Sequence, residues 1–189
     1  MNEKTRKIVG TGILTAIIIV LQSLAISLKF GQFTITLVLA PIIIGAALYG
    51  WKSATWLGFV FGAVVLFTDA AAFLAISVPG TIITCLLKGM LAGFAASVVY
   101  KALEKNDKLA VVTAGIVCPV VNTGVFLIGC MLFFLDTVKS WGEGAGYENV
   151  GAYFLFGFVG LNFVVELVIN LVLSSAIVQI LKAVKKNKA

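Results

Sequence analysis

The rarity of charge between residues 8 and 181 constrains this chain more than any other feature. Six apolar runs follow one another, at about 8–28, 35–50, 54–67, 80–100, 109–135 and 152–181, with short polar stretches between them. About 20 apolar residues in a helix cross a ~30 Å hydrocarbon core. Inside that core no water satisfies backbone N–H and C=O groups, so a spanning segment must be a helix or part of a closed barrel. Continuous apolar runs, rather than alternating ones, predict helices. The expected fold is an all-α integral membrane protein, a six-transmembrane-helix bundle forming a single domain over residues 1–189. Composition agrees, since 61% of residues are hydrophobic and 12% charged, where a soluble domain is about 25% charged.

The runs differ in detail. Pro41 lies inside the second and predicts a kink, because proline removes a backbone donor. The third is short and is expected to borrow length from its neighbours. Tyr49, Trp51 and Trp56 bracket an expected turn around Lys52, an aromatic belt beside a charge. Residues 29–34 read as a loop, and 136–150 as a polar, Gly-rich loop. Residues 68–79 hold Asp69, small apolar residues and then Val78-Pro79-Gly80, which suits a re-entrant or lid-like segment. A basic head (Lys4, Arg6, Lys7) before an apolar body also fits a secretory leader. The length of the run and the lack of a small-x-small site near Ser27 favour a retained span.

Basic residues set the orientation. With six spans and the N-terminus inside, the cytoplasmic segments hold Lys4, Arg6, Lys7, Lys52, Lys101, Lys105, Lys108, Lys182, Lys185, Lys186 and Lys188. The outer segments hold Lys29 and Lys139, together with Asp69, Asp136, Glu143 and Glu148. Both termini are expected in the cytoplasm.

Polar residues inside the runs are the candidate site. Asn162, Glu166 and Asn170 recur every four residues in the last run and share one helix face. At membrane depth such groups cost several kcal/mol unless partners satisfy them, so the stripe faces the bundle or a solute. Lys88 lies about eight residues, or ~12 Å, into the fourth run, where a lysine costs roughly 2.5–3.5 kcal/mol. It pairs with Glu166, awaits an anionic ligand group, or snorkels to the surface, for which eight residues is a long reach. Counting from the outer loop puts Glu166 deeper, at ~20 Å. Asn122 follows Pro119 in the fifth run and can bond to another helix or to ligand. Aromatic residues crowd the outer ends, including Phe133, Phe134, Trp141, Tyr147, Tyr153, Phe154 and Phe156. Most are expected to face lipid, with Trp141 placed among the ligand contacts. Cys85, Cys118 and Cys130 all lie in apolar runs and read as small buried hydrophobes.

Other patterns bound the function. Gly50-Trp51-Lys52-Ser53 is no phosphate loop, since GxxxxGK[ST] is absent. There is no HExxH, no GxSxG and no histidine for acid–base work. No enzyme, no cofactor and no metal is expected, and an importer built on this chain needs an ion gradient or a separate motor. Gly12 and Ala16 in the first span, and Gly58 and Gly62 in the third, make small-xxx-small steps that let helix backbones approach.

Six short spans with both ends inside, the Gly12/Ala16 step, and the hairpin Ala40-Pro41-Ile42-Ile43-Ile44-Gly45-Ala46 followed by Gly58-Phe59-Val60-Phe61-Gly62 resemble the substrate-binding S components of energy-coupling factor (ECF) vitamin importers. The resemblance implies a subunit of the bacterial cell membrane that binds a water-soluble vitamin tightly from outside. It implies a partnership with a transmembrane coupling protein and two ATPase subunits, with Gly12 and Ala16 on the surface that meets the coupling protein. It also implies lids from the outer loops, and Asn122 and Asn162 on spans lining the vitamin pocket. Lys88 favours a vitamin with one carboxylate, such as pantothenate; riboflavin would lean on asparagine edges and stacking instead. Two other classes stay open. One is a multispan scaffold whose polar groups satisfy each other. The other is a stand-alone ion-coupled carrier, against which stand the lack of an internal repeat and the single buried acid.

Overall fold

The computed structural model describes residues 2–25, 29–30, 33–34 and 37–186. Its helices are α1 (Glu3–Ala25), α2 (Leu39–Tyr49), α3 (Trp51–Thr68), α4 (Ala71–Leu74), α5 (Val78–Ala102), α6 (Asp107–Phe133), α7 (Leu135–Gly144), α8 (Val150–Ala152) and α9 (Gly160–Lys186). A π-helical segment, Tyr153–Phe158, joins α8 to the approach to α9. Five helices are long and apolar enough to cross a membrane: α1, α3, α5, α6 and α9. The apolar α2 is shorter.

Several boundaries correct the sequence reading. Residues 29–34 were expected to be a loop, but Lys29–Phe30 (β1) and Phe33–Thr34 (β2) pair as an antiparallel ribbon. Pro41 does not kink a long second span. The helix starts at Leu39, so the proline sits in the first turn, where its missing N–H breaks no intrahelical bond. The turn between the second and third runs is Gly50 alone, at φ 82°, a conformation glycine adopts at little cost. Lys52 is therefore helical, and α3 gains its first turn and reaches 18 residues. The segment 68–79 folds its middle into α4. At its end Ser77 caps α5, accepting from Gly80 N at 3.3 Å, with proline in the first turn. Half of the expected outer loop 136–150 is α7, whose Val138 and Gly142 are buried. The last run is not one helix, because the π segment interrupts it before α9.

α5 is the centre of the bundle, packed between α3 and α6; α9 packs on α6 and α1 on α3, while α2 touches all five of these helices. Where α3 and α5 approach most closely, glycines bring backbone against backbone. A methyl group on Gly58 would strike the carbonyl of Gly89, one on Gly62 that of Cys85, and one on Gly93 that of Ala54. The small-xxx-small step of α3 thus meets a second one, Gly89/Gly93, on α5. Two cores result. The larger is aliphatic and includes Ile18, Ile42, Leu57, Val111, Ile177 and Leu181. The smaller is largely aromatic, built on Cys130, Phe134, Val138, Tyr153 and Phe154. Large apolar side chains remain exposed around the bundle, such as Ile13, Ile17, Leu132 and Val172, as a lipid-facing surface requires. The three cysteines are buried and free.

Candidate functional site

A cavity of about 300 Å³ opens between the two cores, lined from α1, α3, Asp69, α4, α5, α6, α9 and the residues before α9. Its size is at the lower end of small-molecule sites, roughly 300–1,000 Å³. Four of the five residues expected to bind substrate come together in its wall: Lys88, Asn122, Asn162 and Glu166.

Lys88 stands on α5, half-buried, with Nζ 5.1 Å from the centre of the Phe126 ring and 5.7 Å from that of Phe61. Ring faces attract a cation by about 0.5–2 kcal/mol each, which holds an ammonium without neutralising it. Glu166 shares the cavity wall with Lys88. Because α9 starts at Gly160, Glu166 is only ~9 Å along it, and Lys88 is ~15 Å along α5.

Asn122 of α6 is buried, and its Oδ1 has no hydrogen-bond partner. On α9 the polar stripe divides in two. Asn162 and Glu166 line the cavity. One turn deeper, Asn170 donates from Nδ2 to the carbonyl of Glu166 at 2.8 Å, and Ser174 donates to the carbonyl of Asn170 at 2.8 Å. The deeper members are satisfied within their own helix, while Val164, Val168 and Val172 point outward.

Phe73 on α4 closes the aromatic side. Its ring lies 5.0 Å from Phe134, 5.6 Å from Trp141, 5.7 Å from Phe126 and 6.3 Å from Phe158. Phe158 belongs to the π segment, whose wider turn carries it over both Tyr153 and Phe126, at 5.6 and 5.9 Å. π segments are rare and recur at functional sites. Trp141 does not line the cavity; it buttresses Phe73 and Phe158 from behind, at 5.6 and 6.1 Å. The outer aromatics are thus mostly a packed cluster and only partly lipid-facing, as Phe133 and Phe156 are.

Sequence reasoning missed Gln22, Asp69, Phe61, Phe73 and Phe126 as lining residues. Gln22 left a legible signal, an amide inside the first apolar run. The phenylalanines left none, since any run of this composition contains them. Gly12 and Ala16 lie on the opposite, exposed face of α1, and nothing stands within 4 Å of where a Gly12 Cβ would be.

The lining combines a cation, amides, carboxylates and aromatic faces. It can hold a small, amphipathic molecule by charge and hydrogen bonds. The pantothenic acid transporter PanT of Lactococcus lactis subsp. cremoris (strain MG1363) is similar to this chain, 26% identical over 210 residues covering 98% of each protein. No solved structure matches significantly. Residues 6–180 match the family of substrate-specific components of ECF transporters. That match runs nearly from end to end, and the chain belongs to the ECF transporter substrate-specific component family.

Proposed function

We propose that this chain captures pantothenate outside the cell membrane and passes it inward, with a transmembrane coupling protein and two ATPase subunits supplying the motor. The observation that carries the substrate is Lys88, a cation held by ring faces beside the buried, unpartnered oxygen of Asn122. Pantothenate offers one carboxylate, one amide and two hydroxyls. The carboxylate suits Lys88, and the amide and hydroxyls suit Asn122 and Asn162. Riboflavin has no carboxylate and would leave Lys88 unanswered. The name of the similar Lactococcus protein supports the same choice. A scaffold with a self-satisfied polar interior fits less well, because the amide oxygens of Gln22 and Asn122 are buried without partners.

The proposed topology is six crossings with both termini in the cytoplasm. In its support, Lys7, Lys52, Lys101, Lys108 and Lys182 gather at the helix ends away from the ligand cavity. Lys7 shares one groove with Lys52 and another with Lys101, and Lys108 shares one with Lys182. At 11 residues, α2 rises only ~16 Å, short of a ~30 Å hydrocarbon core. Gly12 and Ala16, exposed on α1, are the proposed contact with the coupling protein.

The test is thermal unfolding of the purified chain in detergent with pantothenate, riboflavin and other water-soluble vitamins. A ligand that binds only the folded state adds about 2.7 kcal/mol at a hundredfold excess over its Kd. Pantothenate is expected to give that shift at micromolar or lower concentration. No shift with pantothenate, and a shift with another vitamin, would reassign the substrate.

A further inference from the structure

The α1 side of the cavity holds an arrangement that the pantothenate reading has not used. Gln22 on α1 is only 1% exposed. Its Nε2 donates to Asp69 Oδ2 at 2.8 Å, and Thr68 Oγ1 donates to that same oxygen at 2.7 Å. Nε2 also approaches Thr68 Oγ1 at 3.5 Å. An ionised carboxylate only accepts hydrogen bonds, so Asp69 fixes which way the Gln22 amide is turned. Its nitrogen goes to Asp69, and Oε1 is left in the cavity wall without a partner. A buried acceptor with no donor destabilises the protein. A ligand O–H relieves that cost, and an apolar group in its place does not.

We infer that Gln22 is the specificity-determining acceptor for a ligand hydroxyl, and that Asp69 and Thr68 are positioning residues that hold its amide oxygen toward the ligand. The inference rests on the pantothenate reading and deepens it. Lys88 takes the carboxylate, and the oriented amide on α1 reads the hydroxyl-bearing end. A site built to bond a hydroxyl rejects an analogue lacking it far more strongly than an apolar site rejects an added one.

The experiment measures, by calorimetry, the affinity of the detergent-purified chain for pantothenate and for 3,3-dimethylbutanoyl-β-alanine. The analogue keeps the carboxylate, the amide and the branched carbon but lacks both hydroxyls. Wild-type protein is expected to favour pantothenate. Gln22→Met, close in volume, is expected to lose about ten- to a hundredfold in affinity for pantothenate and little for the analogue. Thr68→Val, a milder change, is expected to lose several-fold in the same selective way, and it carries the comparison if Gln22→Met does not fold. Equal losses for both ligands, or no loss for either, would overturn the inference and leave the pantothenate reading standing. Wild-type protein that binds neither ligand would remove both together.

Discussion

Lys88→Met asks whether the buried cation serves the ligand or the fold. The substitution keeps most of the apolar stem and removes the ammonium. Two ring contacts are lost, at 5.1 and 5.7 Å, worth about 0.5–1 kcal/mol each at partly solvated sites. Against that loss, an ammonium no longer has to be held at membrane depth, which insertion scales put at ~2.5–3.5 kcal/mol. The ligand-free protein should be as stable as wild type or slightly more so. Pantothenate should lose the partner of its carboxylate, a truncation that costs about 2–5 kcal/mol, or at least ~30-fold in Kd. Differential scanning fluorimetry of the empty protein and calorimetry with pantothenate read the two effects separately. A structural ion pair would behave in the opposite way. Leaving an acid uncompensated costs ~3–5 kcal/mol, a fall of roughly 6–20 °C in Tm at 2–4 °C per kcal/mol. Such a fall, with affinity nearly unchanged, would refute the reasoning.

Other substitutions divide in similar ways. Asn122→Leu replaces a buried amide whose oxygen has no partner. It is expected to raise the stability of the empty protein by about 1 kcal/mol while lowering pantothenate affinity at least tenfold, as melting and calorimetry would show. Gly62→Val places a branched side chain against the Cys85 carbonyl. It is expected to cost about 3 kcal/mol through forced separation of α3 and α5, seen as a lower Tm and poor yield. A Cβ at Gly12 meets nothing within 4 Å, and Gly12→Leu, on this exposed face, should leave both Tm and pantothenate affinity unchanged. It should weaken co-purification with the coupling protein and ATPases, and a full-strength complex would remove α1 from that contact.

What the sequence made legible followed from chemistry that acts one residue at a time. A lysine or asparagine in hydrocarbon is conspicuous wherever the helices lie, and Lys88, Asn122, Asn162 and Glu166 do meet in one cavity. The apolar runs likewise placed the long helices. What was not legible depended on three-dimensional juxtaposition. Phe73 is one of fourteen phenylalanines, and only the folding of α4 makes it a hub. The π segment is a matter of backbone hydrogen-bond register, as in Val159 N to Phe154 O at 3.1 Å, and no residue type announces it. Trp141 was chosen for its chemistry, but its position on α7 puts it behind the wall.

The glycine contacts between α3 and α5 bear on how the site can respond to a ligand. Where backbone rests on backbone, there are no rotamers to exchange and nothing to repack, so the two helices behave as a single stiff plate. Phe61 and Lys88 sit next to Gly62 and Gly89 in that plate. The backbone positions that carry the cation and one of its ring supports are therefore held at a fixed spacing. Compliance falls to the opposite wall, where the four-residue α4 and the wide-turned approach to α9 meet through interlocking rings. If the cavity takes the proposed ligand, that half is the one expected to adjust, and the α3–α5 half the one expected to hold its shape.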